Sequence, residues 1–101
     1  MPNRENDPVA SDIDEITIQF EEDGQVVVEE LEKEILYRGA WTTILFLYRE
    51  RDAKTGEFGP PKAGLRRYQK WQGTFRKKDA INLTEKTAPA LIAKLQEWFK
   101  L

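Results

Sequence analysis

The segment from Trp41 to Arg51, WTTILFLYRER, limits the fold more than any other part of the chain. It is dense in β-branched and aromatic residues, which favour a β-strand. In a strand, successive side chains point to opposite faces, and here the centre is apolar on both. One face would carry Thr43, Leu45 and Leu47, and the other Ile44, Phe46 and Tyr48. We therefore expect a central strand, covered on one face by a helix and on the other by a partner or a further sheet.

Three more segments have strand patterns. Ile13–Phe20 alternates apolar and polar residues, and the Asp23-Gly24 pair after it is typical of a hairpin turn. Gln25–Tyr37 favours one long or bulged strand, although a helix over Glu29–Leu36 remains an alternative. Leu65–Lys77 is predicted as the return strand, with Gly73 as a bulge or a close backbone approach. Residues 52–64 hold three Gly and two Pro without periodicity and indicate a long loop, functional or mobile.

The C-terminal segment predicts an amphipathic helix. Its apolar residues recur at helical spacing on one stripe, namely Ala88, Leu91, Ile92, Leu95 and Phe99. Thr84 or Thr87 would be the N-cap, with Pro89 in the first turn. Trp98 widens the stripe, either as further core or as a contact with a second subunit. The sequence thus predicts an α+β domain over residues 13–101, a curved antiparallel four-stranded sheet followed by this helix, after a disordered arm at residues 1–12.

The composition leaves little for catalysis. The chain of 101 residues has no Cys and no His, so the commonest general base, thiol nucleophile and transition-metal ligands are missing. Glu29, Glu30, Glu32 and Glu34 alternate and could bind a hard cation weakly, but a solvated acidic face is the commoner reason for such a pattern. We expect no enzyme activity, no catalytic residues, no cofactor and no metal site.

No apolar stretch approaches the ~20 residues that a membrane-spanning helix needs. The N-terminal residues also lack the apolar centre of a signal peptide. These features predict a soluble, cytoplasmic protein without a membrane partner.

Charge is distributed unevenly along the chain. Residues 1–34 hold two basic and twelve acidic residues, whereas residues 35–83 hold eleven basic and four acidic ones. The run Lys62–Lys78 has seven basic residues, no acidic ones and three aromatics, Tyr68, Trp71 and Phe75. Cations interleaved with rings suit a nucleic-acid strand, because phosphates need charge and bases need flat surfaces. A strand with one solvated face and core aromatics is the alternative.

Alternation along Leu65–Lys77 divides this run between two faces. Trp71 and Phe75 fall on the face that we expect in the core. The opposite face and the following lysines give the candidate nucleic-acid contacts, which are Arg66, Tyr68, Lys70, Arg76, Lys77 and Lys78. Single strands suit such a basic sheet better than duplex, since duplex readers usually insert a well-charged helix.

The residues Arg76 to Thr84, RKKDAINLT, lead directly into the C-terminal helix, and Tyr48-Arg49-Glu50 ends the central strand. In these motifs the chain resembles the positive-cofactor-four type of transcriptional coactivator domain. The resemblance implies a four-stranded antiparallel sheet followed by a helix, homodimerisation on the helix side and single-stranded DNA binding on basic strands. By position it implies that Lys77 and Lys78 contact phosphates, and that Ile81 and Leu83 are structural.

Together these features predict a protein that binds single-stranded nucleic acid and has a transcription-regulatory or strand-protecting role. DNA rather than RNA follows from the resemblance alone. A homodimer through the helix, with Trp98 and Phe99 at the contact, is expected. The alternative is a non-enzymatic protein–protein adaptor whose basic strand meets an acidic partner. In a further variant, residues 1–34 of one subunit mask the basic strand of its neighbour.

Overall fold

A computed structural model describes residues 8–101. In chain order its elements are β1 (Pro8–Ala10), a 3-10 helix (Ile13–Glu15), β2 (Phe20–Glu22), β3 (Gln25–Tyr37), β4 (Trp41–Glu50), β5 (Lys62–Trp71), β6 (Thr74–Leu83) and α1 (Ala88–Phe99). The strands form one antiparallel sheet in the order β1-β6-β5-β4-β3-β2, curved into a half-barrel.

The sheet has six strands, so the prediction of four is wrong. The expected single return strand is a hairpin, because the chain reverses between β5 and β6 at Gln72 and Gly73. Both residues have positive φ, 50° and 81°, which matches the right-handed twist of the flanking strands in a two-residue hairpin loop. Gly73 therefore supplies the left-handed backbone of a turn rather than a bulge.

The N-terminal region also differs from the expectation. Residues 1–7 of the predicted arm lie outside the described residues, while Pro8–Ala10 pair with β6 as β1. The strand predicted over Ile13–Phe20 is wrong for most of its length. Asp12 caps a 3-10 helix there, its Oδ1 accepting a hydrogen bond from the Asp14 N–H at 2.8 Å, and β2 begins only at Phe20.

Two strand predictions are confirmed. β3 is one long strand with register shifts beside Leu31 and Leu36, so it is bulged and not helical. β4 lies between β3 and β5, as a strand with two apolar faces requires. The hairpin turn at Asp23-Gly24 is present, with φ values of 50° and 77°.

The inner face of the sheet carries the core. Its centre is built from alternate residues of β4, which are Thr42, Ile44, Phe46 and Tyr48. Residues 10–18 lie across this face, with Ile16 only 1% exposed. The ammonium group of Lys33 donates to the carbonyls of Ile13, Asp14 and Ile16 at 3.1, 3.1 and 2.6 Å. The N-terminal segment thus covers the sheet face on which the C-terminal helix was predicted to pack.

α1 has the predicted start but not the predicted packing. Thr87 is its N-cap and Pro89 lies in its first turn. None of its residues is buried, and the apolar side chains Leu91, Ile92, Leu95, Trp98 and Phe99 are exposed. The inner face is already filled by residues 10–18, so the helix covers neither face of the sheet. Within residues 8–101 no helix has the length and apolarity to cross a membrane.

The loop between β4 and β5 folds back on the sheet. Phe58 lies between two guanidinium groups, with the Cζ atoms of Arg49 and Arg51 at 4.3 and 4.2 Å from its ring centroid. The Gly59 N–H donates to the Glu50 carbonyl at 2.8 Å. These contacts hold the loop to the C-terminal end of β4.

Candidate nucleic-acid interface

The structure places two of the predicted contact residues in the core. In the register of β4 and β5, Tyr68 lies opposite Thr42 and Arg66 opposite Ile44, and residues opposite each other share a face. Tyr68 is 3% exposed and Arg66 9%. Neither offers a ring or a cation to a ligand in this conformation, so we do not include them in the interface.

Arg66 has partners that explain its burial. Its Nη2 donates to Asn82 Oδ1 at 3.0 Å, and the Tyr48 hydroxyl donates to the same oxygen at 3.0 Å. The guanidinium also lies over the Tyr48 ring, 5.7 Å from its centroid. Burial raises the pKa of Tyr68 to about 12, partly opposed by the positive charge of Arg66. This cluster is a structural part of the core.

The other four predicted contacts do not converge on one surface. Lys70 is exposed, with its Nζ 5.6 Å from the centroid of the buried Phe75 ring. Lys77 lies opposite Tyr68 and belongs to the inner side, whereas Arg76 lies opposite Gln69 and belongs to the outer face. Lys78 is exposed at the register shift of β6.

The two aromatics predicted as core have opposite outcomes. Phe75 is confirmed, at 2% exposure. Trp71 is 56% exposed, and the core prediction for it is wrong. Its position in β5 explains this, because Trp41, the first residue of β4, lies opposite Gln69. β5 therefore extends past β4, and Trp71 shares the outer face of Gln69, so its ring lies on the side of the sheet away from the core.

On the outer face, cations and aromatic rings gather at this end of the sheet. Gln69 lies at the centre, with Trp41 opposite it on β4 and Arg76 opposite it on β6. On β5 itself, Arg67 is two residues before Gln69 and Trp71 two residues after it, so both share its face. The Cζ of Arg67 is 4.5 Å from the Trp41 ring centroid, and that of Arg76 is 5.7 Å from the Trp71 ring. We call these five residues the cation–aromatic face.

Arg67 is also ion-paired. Its Nε donates to Asp79 Oδ2 at 2.6 Å, and the two side chains are 51% and 50% exposed. Exposed ion pairs are worth about 0–1 kcal/mol, so a phosphate can replace Asp79 at little cost. Arg67 is thus held near the Trp41 ring but remains available to an anion.

Three residues of this face were not among the contacts predicted from the sequence, namely Trp41, Arg67 and Gln69. Both faces of β5 carry cations and one aromatic ring, so alternation alone does not tell which face is solvated. The deciding fact is that the inner residues of β4 pair with Arg66 and Tyr68, and only the register supplies it.

The rest of the outer face is apolar in the centre and acidic on one side. Leu45 lies opposite Leu65, which lies opposite Ile81, and a shallow cavity of about 350 Å³ reaches Leu65 and Ile81. On β3, Glu32 and Glu34 lie opposite Leu47 and Leu45, on the same outer face.

Residues 8–101 contain no group of three or more His, Cys, Asp or Glu side chains placed to hold a metal ion. No protein-family model matches the chain, and neither does any curated protein or solved structure. The resemblance to the coactivator domain, the absence of enzyme activity and the role in transcription therefore stay predictions.

Proposed function

We propose that the protein binds single-stranded nucleic acid on the cation–aromatic face. The observation that carries this is the grouping of two exposed tryptophans with two arginines around one glutamine on the outer face. Tryptophan rings stack on bases, and arginines can bind phosphates or stack in turn on bases. A single strand supplies both groups at once.

A duplex suits this surface less well. Its bases are already stacked on each other, so the rings of Trp41 and Trp71 would meet only edges and phosphates. Duplex readers often insert a helix into the major groove, but the only cation within α1 is Lys94, with Lys86 and Lys100 just beyond its two ends. The preference for DNA over RNA rests on the resemblance alone. A regulatory or strand-protecting role and a cytoplasmic location are part of the same proposal.

A titration of labelled oligo-dT, followed by fluorescence anisotropy at several salt concentrations, tests the proposal. Trp71→Ala should weaken binding about fivefold or more, since stacking one base is worth about 1–3 kcal/mol. Arg67→Ala should lower affinity and reduce the slope of log K against log salt by about 1.

Arg38→Ala is the matched control for Arg67→Ala. Both arginines are exposed and ion-paired, Arg38 with Asp14 at 3.0 Å, but Arg38 lies outside the cation–aromatic face. The control should bind like the native protein. Equal and weak binding of oligo-dT, duplex and heparin, unaffected by Trp71→Ala, would contradict the proposal and leave only general charge attraction.

A protein–protein adaptor whose basic strand meets an acidic partner is the second candidate, and the exposed cations Arg67, Lys70 and Lys78 of β5 and β6 favour it. In that case an acidic polypeptide such as poly-glutamate should bind more tightly than oligo-dT of equal charge. Trp71→Ala distinguishes the two, because an adaptor that binds an acidic chain does not need the stacking ring of Trp71.

We also propose that two copies associate through α1. An isolated helix of about 12 residues is marginal in water, and Trp98 and Phe99 are each 67% exposed. The apolar centre of the outer face, at Leu45, Leu65 and Ile81, offers a surface that the helix of a second copy would cover. Sedimentation equilibrium should give a dimer for the native chain and a monomer for Trp98→Glu/Phe99→Glu. A native monomer at high concentration would contradict this.

A further inference from the structure

Gln69 occupies the centre of the cation–aromatic face. Trp41 lies opposite it on β4, and Arg76 lies opposite it on β6. Arg67 and Trp71 flank it on its own strand and face. Its side chain is half-buried, and the described residues offer its amide no hydrogen bond. An amide that is open to solvent and has no partner among these residues has its donors and its acceptor available to a ligand.

The neighbours of Gln69 restrict what that ligand group can be. The two arginines are donors only and carry charge, so they suit phosphates. The two tryptophans suit the flat faces of bases. Gln69 is the neutral side chain of the face with a donor and an acceptor side by side, and a base stacked on either ring would turn an edge across the sheet toward it.

We propose that Gln69 reads a base edge and gives the site a preference for adenine; this inference rests on the proposed binding of single strands. The amide oxygen would accept from the adenine amino group while the amide nitrogen donates to a ring nitrogen beside it. Glutamine pairs with adenine in this bidentate way through N6 and N7. The Watson–Crick edges of cytosine and thymine also present a donor beside an acceptor, so the preference depends on the amide reaching the N6–N7 edge, which a single strand leaves open and pyrimidines lack.

The experiment compares labelled oligo-dA, oligo-dT and oligo-dC of about 12 nucleotides, within the range of small single-strand sites. The native protein should bind oligo-dA at least about fivefold more tightly than the other two, the low end for a bidentate pair. Gln69→Leu keeps the side-chain bulk but loses the amide. The readout is the ratio of its affinities for oligo-dA and oligo-dT, and this ratio should fall by at least about fivefold relative to the native protein.

Two controls separate the amide from other causes. Purines stack better than pyrimidines, so only the part of the preference that Gln69→Leu removes counts. Gln25→Leu makes the same change at an exposed position at the start of β3 and should keep the native preference. A native protein without preference, or a preference that survives in Gln69→Leu, overturns the inference. Failure to bind any of the oligonucleotides overturns the proposed function instead.

Discussion

Arg66 can be buried because residue 64, beside its guanidinium, is a glycine. A Cβ on Gly64 would lie 2.6 Å from Arg66 Nη1 and 3.2 Å from Asn82 Oδ1, too close for both to stay. The guanidinium cannot swing away cheaply, because Asn82 and the Tyr48 ring hold it inside the sheet. Glycine is therefore needed here for space, and not for its backbone freedom.

Gly64→Ala should lower the free energy of unfolding by about 1–3 kcal/mol, the usual cost of overpacking. Gly59→Ala is the control, since its Cβ would meet only the Glu50 carbonyl at an ordinary 3.7 Å, and it should unfold near the native midpoint. Urea unfolding followed by tryptophan fluorescence measures both. Equal midpoints for the two variants would contradict this account of Arg66.

The ionisation of Tyr68 makes the free energy of unfolding depend on pH in the alkaline range. Burial raises its pKa from 10.0 to about 12, so the folded state holds the proton where the unfolded chain has released it. Its contribution is complete below pH 10 and is lost as the pH rises from about 10 to 12. Above this window both states are ionised and the loss stops.

Tyr68→Phe removes the titrating group. The free energy of unfolding of this variant should fall less steeply between about pH 10 and 12 than that of the native protein. Tyr37→Phe makes the same change at an exposed ring and should keep the native slope. Urea unfolding at a series of alkaline pH values gives the comparison, and identical slopes for all three proteins would contradict it.

At the scale of elements, β3 and β4 could be predicted as strands from the sequence, but the face of β5 that enters the core could not. The two apolar faces of β4 identified an interior strand, and β3 was predicted as one long strand because it lies between two strand-like segments. The pattern of β5 suits either orientation, because Arg66 and Tyr68 on one face resemble Arg67 and Trp71 on the other. Arg66 can be buried only with Asn82 and Tyr48 as partners, and these residues are distant in sequence. The local sequence pattern therefore does not predict its burial.

The turn between β5 and β6 was not recognised from the sequence, so these two strands were predicted as one. Gln72-Gly73 is not among the strongest hairpin signals, although it takes the same two left-handed positions as Asp23-Gly24. A non-glycine residue in the left-handed region costs roughly 1–2 kcal/mol, and asparagine avoids part of this. A run of residues that alternates on both sides of such a turn therefore resembles one long strand.

Gln72→Asn should stabilise the protein by about 0.5–1 kcal/mol, because Asn-Gly suits this turn better. The matched control is Asp23→Asn in the β2–β3 turn, where aspartate already tolerates the same φ of 50°, and little change is expected. Thermal unfolding measures both. A Gln72→Asn variant that is no more stable than the native protein would show that the turn is not strained.

At the scale of the whole molecule, the outer face carries a gradient of charge. Glu32 and Glu34 line β3, while the arginines of the cation–aromatic face lie on β5 and β6. Strands are about 4.8 Å apart, so β3 and β5 are separated by about 10 Å, close to the Debye length at 0.1 M salt. The acidic strand should thus weaken the attraction of a polyanion without touching it.

Glu32→Gln/Glu34→Gln should raise affinity for oligo-dT roughly twofold or more at low salt, where the Debye length is about 30 Å at 0.01 M. The gain should vanish near 1 M salt, where that length is about 3 Å. Glu21→Gln/Glu22→Gln makes the same charge change on β2, one strand farther from β5, and should give a smaller gain. Equal gains from both pairs would mean that net charge alone attracts the strand, and that the binding surface is not the cation–aromatic face.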